Sequence, residues 1–277
     1  MYGLQRSRDA SLMANPPTYE ESTSAPPPPL RLPLVLNAHT SWGVEGMSTF
    51  YYCGQSPEDR LYAVKVQHVK SGGKPPLSKR RGLLLHSGPS TSSPIIAAAA
   101  DQKTASSTET DPNSDILLVN TQNCNNDHDG VATDIMRARL TDADKVAFTF
   151  QVEVGVGFER RKDAFSWIRI DKKEAGLVHG GYKLVRHPPK PEGVHNLVSR
   201  PLLFDRHWST HDLSNEDNLL AILSNGKGLQ VALSPYLYTI RFTDEDVLGE
   251  IGYDLARTIL VTAARLRHLK ASHRMSP

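Results

Sequence analysis

The sequence predicts a mainly β domain of α+β content, a sandwich or barrel enclosing a hydrophobic C-terminal helix. Three observations carry that reading. Short segments of strand character recur at spacings of about 8–20 residues, separated by polar turns, as in all-β sandwiches and barrels. The strongest helical pattern lies at the C-terminal end and is apolar around most of its circumference, as in a helix buried on most sides. The first 31 residues are polar, end in a polyproline run and have no means of building a core.

Composition sets the limits. A chain of 277 residues is one large domain or two small ones. With 39% apolar and 22% charged residues and a net charge of +2, the balance is too weak to argue for nucleic acid or an anionic surface by itself. Only Cys53 and Cys124 are present, so no disulfide framework follows and a reducing compartment is the simplest reading. No apolar leader and no run of about 18 uncharged apolar residues is visible, so neither a secretory signal nor a transmembrane segment is expected.

The body is read from residue 32 to residue 277. "LPLVLNAH" (32–39), "RLYAVKVQHV" (60–69), "GLLLHSGP" (82–89) and "SPIIAAAA" (93–100) have strand character. "DILLVN" (115–120), "DIMRARL" (134–140), "VAFTFQVEV" (146–154), "AFSWIRI" (164–170) and "YKLVRH" (182–187) follow. "NLLAILSN" (218–225) is a strand or a short helix, and "GLQVALSPYLYTIRF" (228–242) is one bent strand or two. Polar inserts near 101–113 and 120–130, and a Pro-rich stretch around Pro188–Pro191, read as loops. In "LYAVKV", Leu61, Ala63 and Lys65 share one face and Tyr62, Val64 and Val66 the other. In "FSWIRI", Phe165, Trp167 and Arg169 oppose Ser166, Ile168 and Ile170, an alternation that suits a sheet with one side buried. The two apolar bursts around the Gly-containing segment before Tyr182 predict a hairpin.

The terminal helix is predicted over Thr243–Ser272. Thr243 offers a cap and Asp246 a capping-box acid. Acids at 244–246 and the bases Arg265, Arg267, His268 and Lys270 suit the two ends of the helix dipole. Between Leu255 and Leu266 only Arg257, Thr258, Thr262 and Arg265 interrupt an otherwise apolar surface, which favours enclosure by β-structure over a helix lying on one sheet face.

These features resemble the tubby C-terminal-like superfamily of tubby-like, phospholipid scramblase and LURP-one-related proteins, and its fungal members in particular. "RLYAVKVQ" followed by "GLLLHSGPSTSSPIIAAA" is similar to an early hairpin of that superfamily. "FSWIRI…GYKLVRH" and the apolar terminal helix are similar to later parts, and the likeness spans roughly Leu32 to Lys270 with gaps at the polar inserts. The resemblance implies a closed antiparallel barrel of about twelve strands around a central helix, with no exposed sheet edge. It also implies a non-enzymatic binding protein.

Candidate chemistry is sparse. "CNNDHDG" brings Cys124, Asp127, His128 and Asp129 together without a second cluster at zinc spacing or an EF-hand pattern, and a polar loop is the ordinary reading. "HWSTHD" (207–212) lacks any nucleophile elbow and reads as a polar turn. No catalytic residue, metal or cofactor is expected. Two binding signals remain. Pro16, Pro17 and Tyr19 form a PPxY motif, whose preformed polyproline geometry docks into the aromatic grooves of WW domains. Basic runs at Lys79, Arg80 and Arg81, at Arg160, Arg161 and Lys162, and at Lys172 and Lys173 are either solvated turns or, converging, an anionic headgroup patch. The leading expectation is a cytoplasmic protein associating peripherally with anionic phospholipid, without nucleic acid or a transmembrane segment. The alternative is an adaptor whose tail recruits a WW-domain protein such as a ubiquitin ligase.

Overall fold

A computed structural model describes residues 30, 32–40, 48–68, 75–102, 112–119, 131–141, 145–155, 160–171, 180–187, 218–226, 236–245, 248 and 251–272. Twelve strands follow one another: β1 (Val35–Thr40), β2 (Thr49–Cys53), β3 (Arg60–Gln67), β4 (Gly82–His86), β5 (Ile95–Asp101) and β6 (Ser114–Val119), then β7 (Val131–Leu140), β8 (Val146–Val154), β9 (Arg161–Ile170), β10 (Gly181–His187), β11 (Leu219–Asn225) and β12 (Tyr236–Phe242). Each pairs antiparallel with its sequence neighbour, and β1 closes onto β12 with Leu36 opposite Ile240. The helix α1 (Tyr253–Ala271) completes the fold.

Closure explains the helix. Strands about 4.8 Å apart and tilted by roughly 40° place facing backbones of a twelve-strand barrel about 24 Å apart. Side chains alone fill a barrel of about eight strands. A helix about 10–12 Å across occupies the remainder. Leu255, Ile259, Leu260, Val261, Leu266 and Leu269 are all buried and pack with lumen-facing residues of the wall. At about 2 kcal/mol per large aliphatic side chain, their burial contributes on the order of 10 kcal/mol before the entropy of ordering is subtracted.

The helix sits off centre. It packs most closely against β4, β5, β6 and β8. Ala97 and Ala99 face the lumen from β5 and leave room for a close approach. On the far side the space is taken by Phe50, Tyr52 and Tyr238, whose rings meet edge to face at 6.0–6.3 Å between centroids. Phe150 and Phe165, register partners on β8 and β9, stack at 5.8 Å.

Most expected segments are strands within a few residues of their predicted limits. The segment 218–225 is a strand, and "FSWIRI" and "GYKLVRH" pair with Ile170 opposite Gly181. Of 228–242, residues 236–242 form β12 and 227–235 lie outside the described residues. Three features differ from expectation. β2, "TFYYC", has no alternation to reveal it: four of its five residues are buried. The sheet around β9 is buried on both sides, since Ser166, Ile168 and Ile170 on the outer face are 4%, 3% and 4% exposed. Thr243 does not cap the terminal helix. Its hydroxyl donates to the carbonyls of Leu219 and Leu220, and the cap position belongs to Gly252, which supplies no side-chain bond. The tail, most of residues 1–31, and the insert 120–130 lie outside the described residues.

Ile259 is fully buried where α1 meets the wall. Ile259→Asp should lower unfolding free energy by about 4 kcal/mol or prevent folding, because an unpaired carboxylate would enter a dry core. Ile259→Val should cost only about 1 kcal/mol. Urea denaturation checks both, and an unchanged midpoint for the Asp variant would be incompatible with an enclosed helix.

Candidate functional site

The strands alternate in direction, so the barrel has two rims. The upper rim carries Val119, Val131, Val154, Arg161, His187 and Leu219. The lower rim carries Gly82, Asp101, Ser114, Ile170 and Gly181. Helix α1 runs from the upper to the lower, and two buried arginines fix its depth.

Near the upper rim the Arg257 guanidinium donates to the carbonyl oxygens of Ile96 (3.0 Å) and Val119 (2.5 Å) and to Asp254 Oδ1 (2.8 Å), and lies over the Tyr253 ring. At the lower rim Arg265 Nε donates to Ser114 Oγ at 2.8 Å, and its guanidinium pairs with the Asp101 carboxylate. Both clamps grip β5 and β6. The spacing fits: eight helical residues rise about 12 Å. Five residues of a strand tilted by roughly 40° project to about 13 Å, so the step from Ile96 to Asp101 matches it. The sequence showed these arginines only as interruptions of an apolar helix. Two long cations eight residues apart in such a helix were the signal that both are seated in the wall.

Further polar groups of the lumen join helix to wall. Trp167 Nε1 donates to Thr262 Oγ1 at 3.0 Å, and that hydroxyl donates to the Thr258 carbonyl at 2.7 Å. Tyr52 donates to the Leu260 carbonyl at 2.6 Å, which leaves Tyr238 to donate to the Tyr52 oxygen at 2.7 Å. Burial, followed by Tyr238, pushes the Tyr52 phenol well above its usual range, and burial alone pushes up Tyr238, so both stay protonated. On the outer face, Thr149, Ser166 and His187 form a hydroxyl–hydroxyl–imidazole chain, at 2.9 and 2.8 Å. Cys53 is buried with its thiol toward the Pro57 carbonyl, and burial raises its pKa, so the thiol is a poor nucleophile.

The basic turns do not converge. Lys79, Arg80 and Arg81 precede β4 at the lower rim, whereas Arg160, Arg161 and Lys162 open β9 at the upper rim. A ten-residue strand tilted by roughly 40° spans about 25 Å between them. That exceeds a Debye length of about 8 Å, so the two groups do not act as one patch. Nor are all of them free. Arg80 is largely covered, pairs with Asp115 and donates to the Asp101 carbonyl at 2.6 Å. It is a structural residue where an exposed headgroup contact was expected. Its turn is held on the outer wall by Gln67, which donates to the carbonyls of Ser78 (2.7 Å) and Arg80 (3.1 Å), and Leu77 is buried there with Leu84, Ala98, Ala100 and Leu117. Arg161 shares the buried Asp163 carboxylate with Arg186. Lys79, Arg81, Arg160 and Lys162 remain exposed.

Pro16, Pro17 and Tyr19, Lys172 and Lys173, the 124–129 cluster and the 207–212 turn lie outside the described residues. Among the described residues no group of three or more His, Cys, Asp or Glu could hold a metal, and no helix is long and apolar enough to cross a membrane. Comparisons with family models, curated proteins and solved structures find no match to the chain.

Asp101 is the hinge of the lower clamp, accepting from Arg265 through its carboxylate and from Arg80 through its carbonyl. Asp101→Ala should cost roughly 2–3 kcal/mol, below the full penalty of breaking a buried pair because the carboxylate reaches solvent. Arg161→Gln should cost at most about 1 kcal/mol, since that side chain is 57% exposed. Equal costs in urea denaturation would remove the distinction drawn between clamp and rim.

Proposed function

We propose that this chain is a non-enzymatic adaptor of the tubby C-terminal-like type: a rigid barrel whose binding is done by its outside and by its N-terminal tail. The filled lumen carries this reading. The space in which a barrel of this width would hold a ligand is occupied by α1, and Tyr52, Trp167 and Arg265 there bond helix to wall. Such an interior acts as a support, and on this reading recognition falls to the rims and to the N-terminal tail. Pro16, Pro17 and Tyr19 are the element there with intrinsic recognition chemistry, a PPxY ligand for a WW-domain protein such as a ubiquitin ligase. Peripheral association with anionic phospholipid is the second reading. The opposed basic turns favour it only in a narrower form, with one rim facing the surface and Lys79 and Arg81 supplying exposed charge.

Pull-down of the full chain with isolated WW domains tests the adaptor. Tyr19→Ala should abolish capture while leaving the melting temperature unchanged, as expected for a polar, Pro-rich sequence with no means of building a core. Capture that survives the substitution would show that the motif is incidental.

A further inference from the structure

Five arginines are matched to a carboxylate, Arg80 to Asp115, Arg161 and Arg186 to Asp163, Arg257 to Asp254 and Arg265 to Asp101, while Arg81 and Arg160 stand exposed at the rims. At the lower mouth of the barrel that matching stops. Arg169, the penultimate residue of β9, lies on the lumen-facing side of the strand with Phe165 and Trp167, directly opposite Tyr182. Arg267 and Lys270 lie one turn apart on α1, just beyond Arg265, whose bonds to Asp101 and Ser114 hold that part of the helix at the same rim. Three cations from two elements therefore meet in one mouth. After burial, the neighbouring charges of Arg267 and then Arg169 push the Lys270 amine below its ordinary value. Among the described residues none of the three makes a hydrogen bond or ion pair.

A polar group with no described partner accompanies them. Tyr182 is 5% exposed, its ring packs edge-on to Phe148, and its hydroxyl makes no hydrogen bond among the described residues. Burial pushes its phenol up to about 12, against the opposing pull of Arg169, so the hydroxyl is a donor at neutral pH. The negative end of the helix dipole does not explain the arrangement. It amounts to about half a charge against three. The carbonyls of His268 and Leu269 are moreover already capped by Ser272. Asp171 lies two residues beyond Arg169 without an ion pair to it, and Asp101 is committed to Arg265.

We propose that the lower mouth is a receptor for a phosphate-bearing anion, with Arg169, Arg267 and Lys270 supplying the countercharge and Tyr182 donating a hydrogen bond. Three cations suit a multiply charged anion. A single carboxylate would leave two of them uncompensated, and the planar guanidinium fork fits phosphate oxygens in pairs. The assignment is independent of the tail and of WW binding.

The full chain is titrated with inorganic pyrophosphate by calorimetry at low, fixed ionic strength. The wild type should bind. Arg169→Gln and Lys270→Gln should each weaken binding by about tenfold, the loss expected for one charge-assisted contact. Tyr182→Phe should weaken it severalfold. Arg160→Gln, at the opposite rim, should bind as the wild type does. Without ligand, Lys270→Gln should melt no lower than the wild type, since it relieves repulsion between like charges. Cosedimentation with phosphatidylcholine vesicles containing phosphatidic acid then identifies the source. Sedimentation lost in Arg169→Gln assigns a lipid-borne phosphate, and pyrophosphate binding without sedimentation assigns a soluble one. No pyrophosphate binding by the wild type, or undiminished binding by an Arg169→Gln/Lys270→Gln double variant, would overturn the proposal. So would an equal loss in Arg160→Gln, which would mark a general charge effect.

Discussion

A closed twelve-strand wall encloses more space than its own side chains can fill, and the seating of α1 in that space is the constraint on which the rest of the structure depends. Closure removes every sheet edge, but it also creates an interior that must be dry and packed. The helix meets that demand on nearly all of its faces, so a single amphipathic stripe would not serve. Small residues on β5 and large aromatic rings on β2 and β12 then set where the helix axis lies. The wall and its contents are thus specified together.

Arg257 and Arg265 convert this packing into a defined depth. An apolar helix in an apolar tube has little to oppose sliding by a turn. Two guanidinium groups that must meet particular carbonyls and one carboxylate allow a single register, because every other register leaves buried charge unmatched. The stabilisation from such pairs is small after desolvation. Their larger effect here is to exclude alternatives. The Trp167–Thr262 and Tyr52–Leu260 bonds act in the same direction from other parts of the wall.

A fixed helix also gives the barrel polarity. One mouth holds the start of α1, with Arg257 tied to the wall and to Asp254. The other receives its basic end, where Arg267 and Lys270 join Arg169. The two rims differ in charge arrangement because the basic end of α1 lies at only one of them.

Much of this was legible in the sequence. Strand alternation, polar turns and an apolar helix are local patterns, and each reports burial of its own segment. The hairpin of β9 and β10 and the enclosure of α1 follow from such patterns. β2 escaped because five residues, four of them buried, show no alternation. The basic runs were visible as composition, but whether two of them face one another depends on strand direction, which no local pattern states. Arg80 and Arg265 read as charge and are mostly covered partners of Asp115 and Asp101. The sequence by itself determined the class of fold and the burial of the terminal helix, because periodicity and hydrophobicity act residue by residue. Only the tertiary structure decided which cations are neutralised and which are left to converge. Charge pairing depends on distances between segments far apart in the chain, and those distances exist only once the barrel has closed.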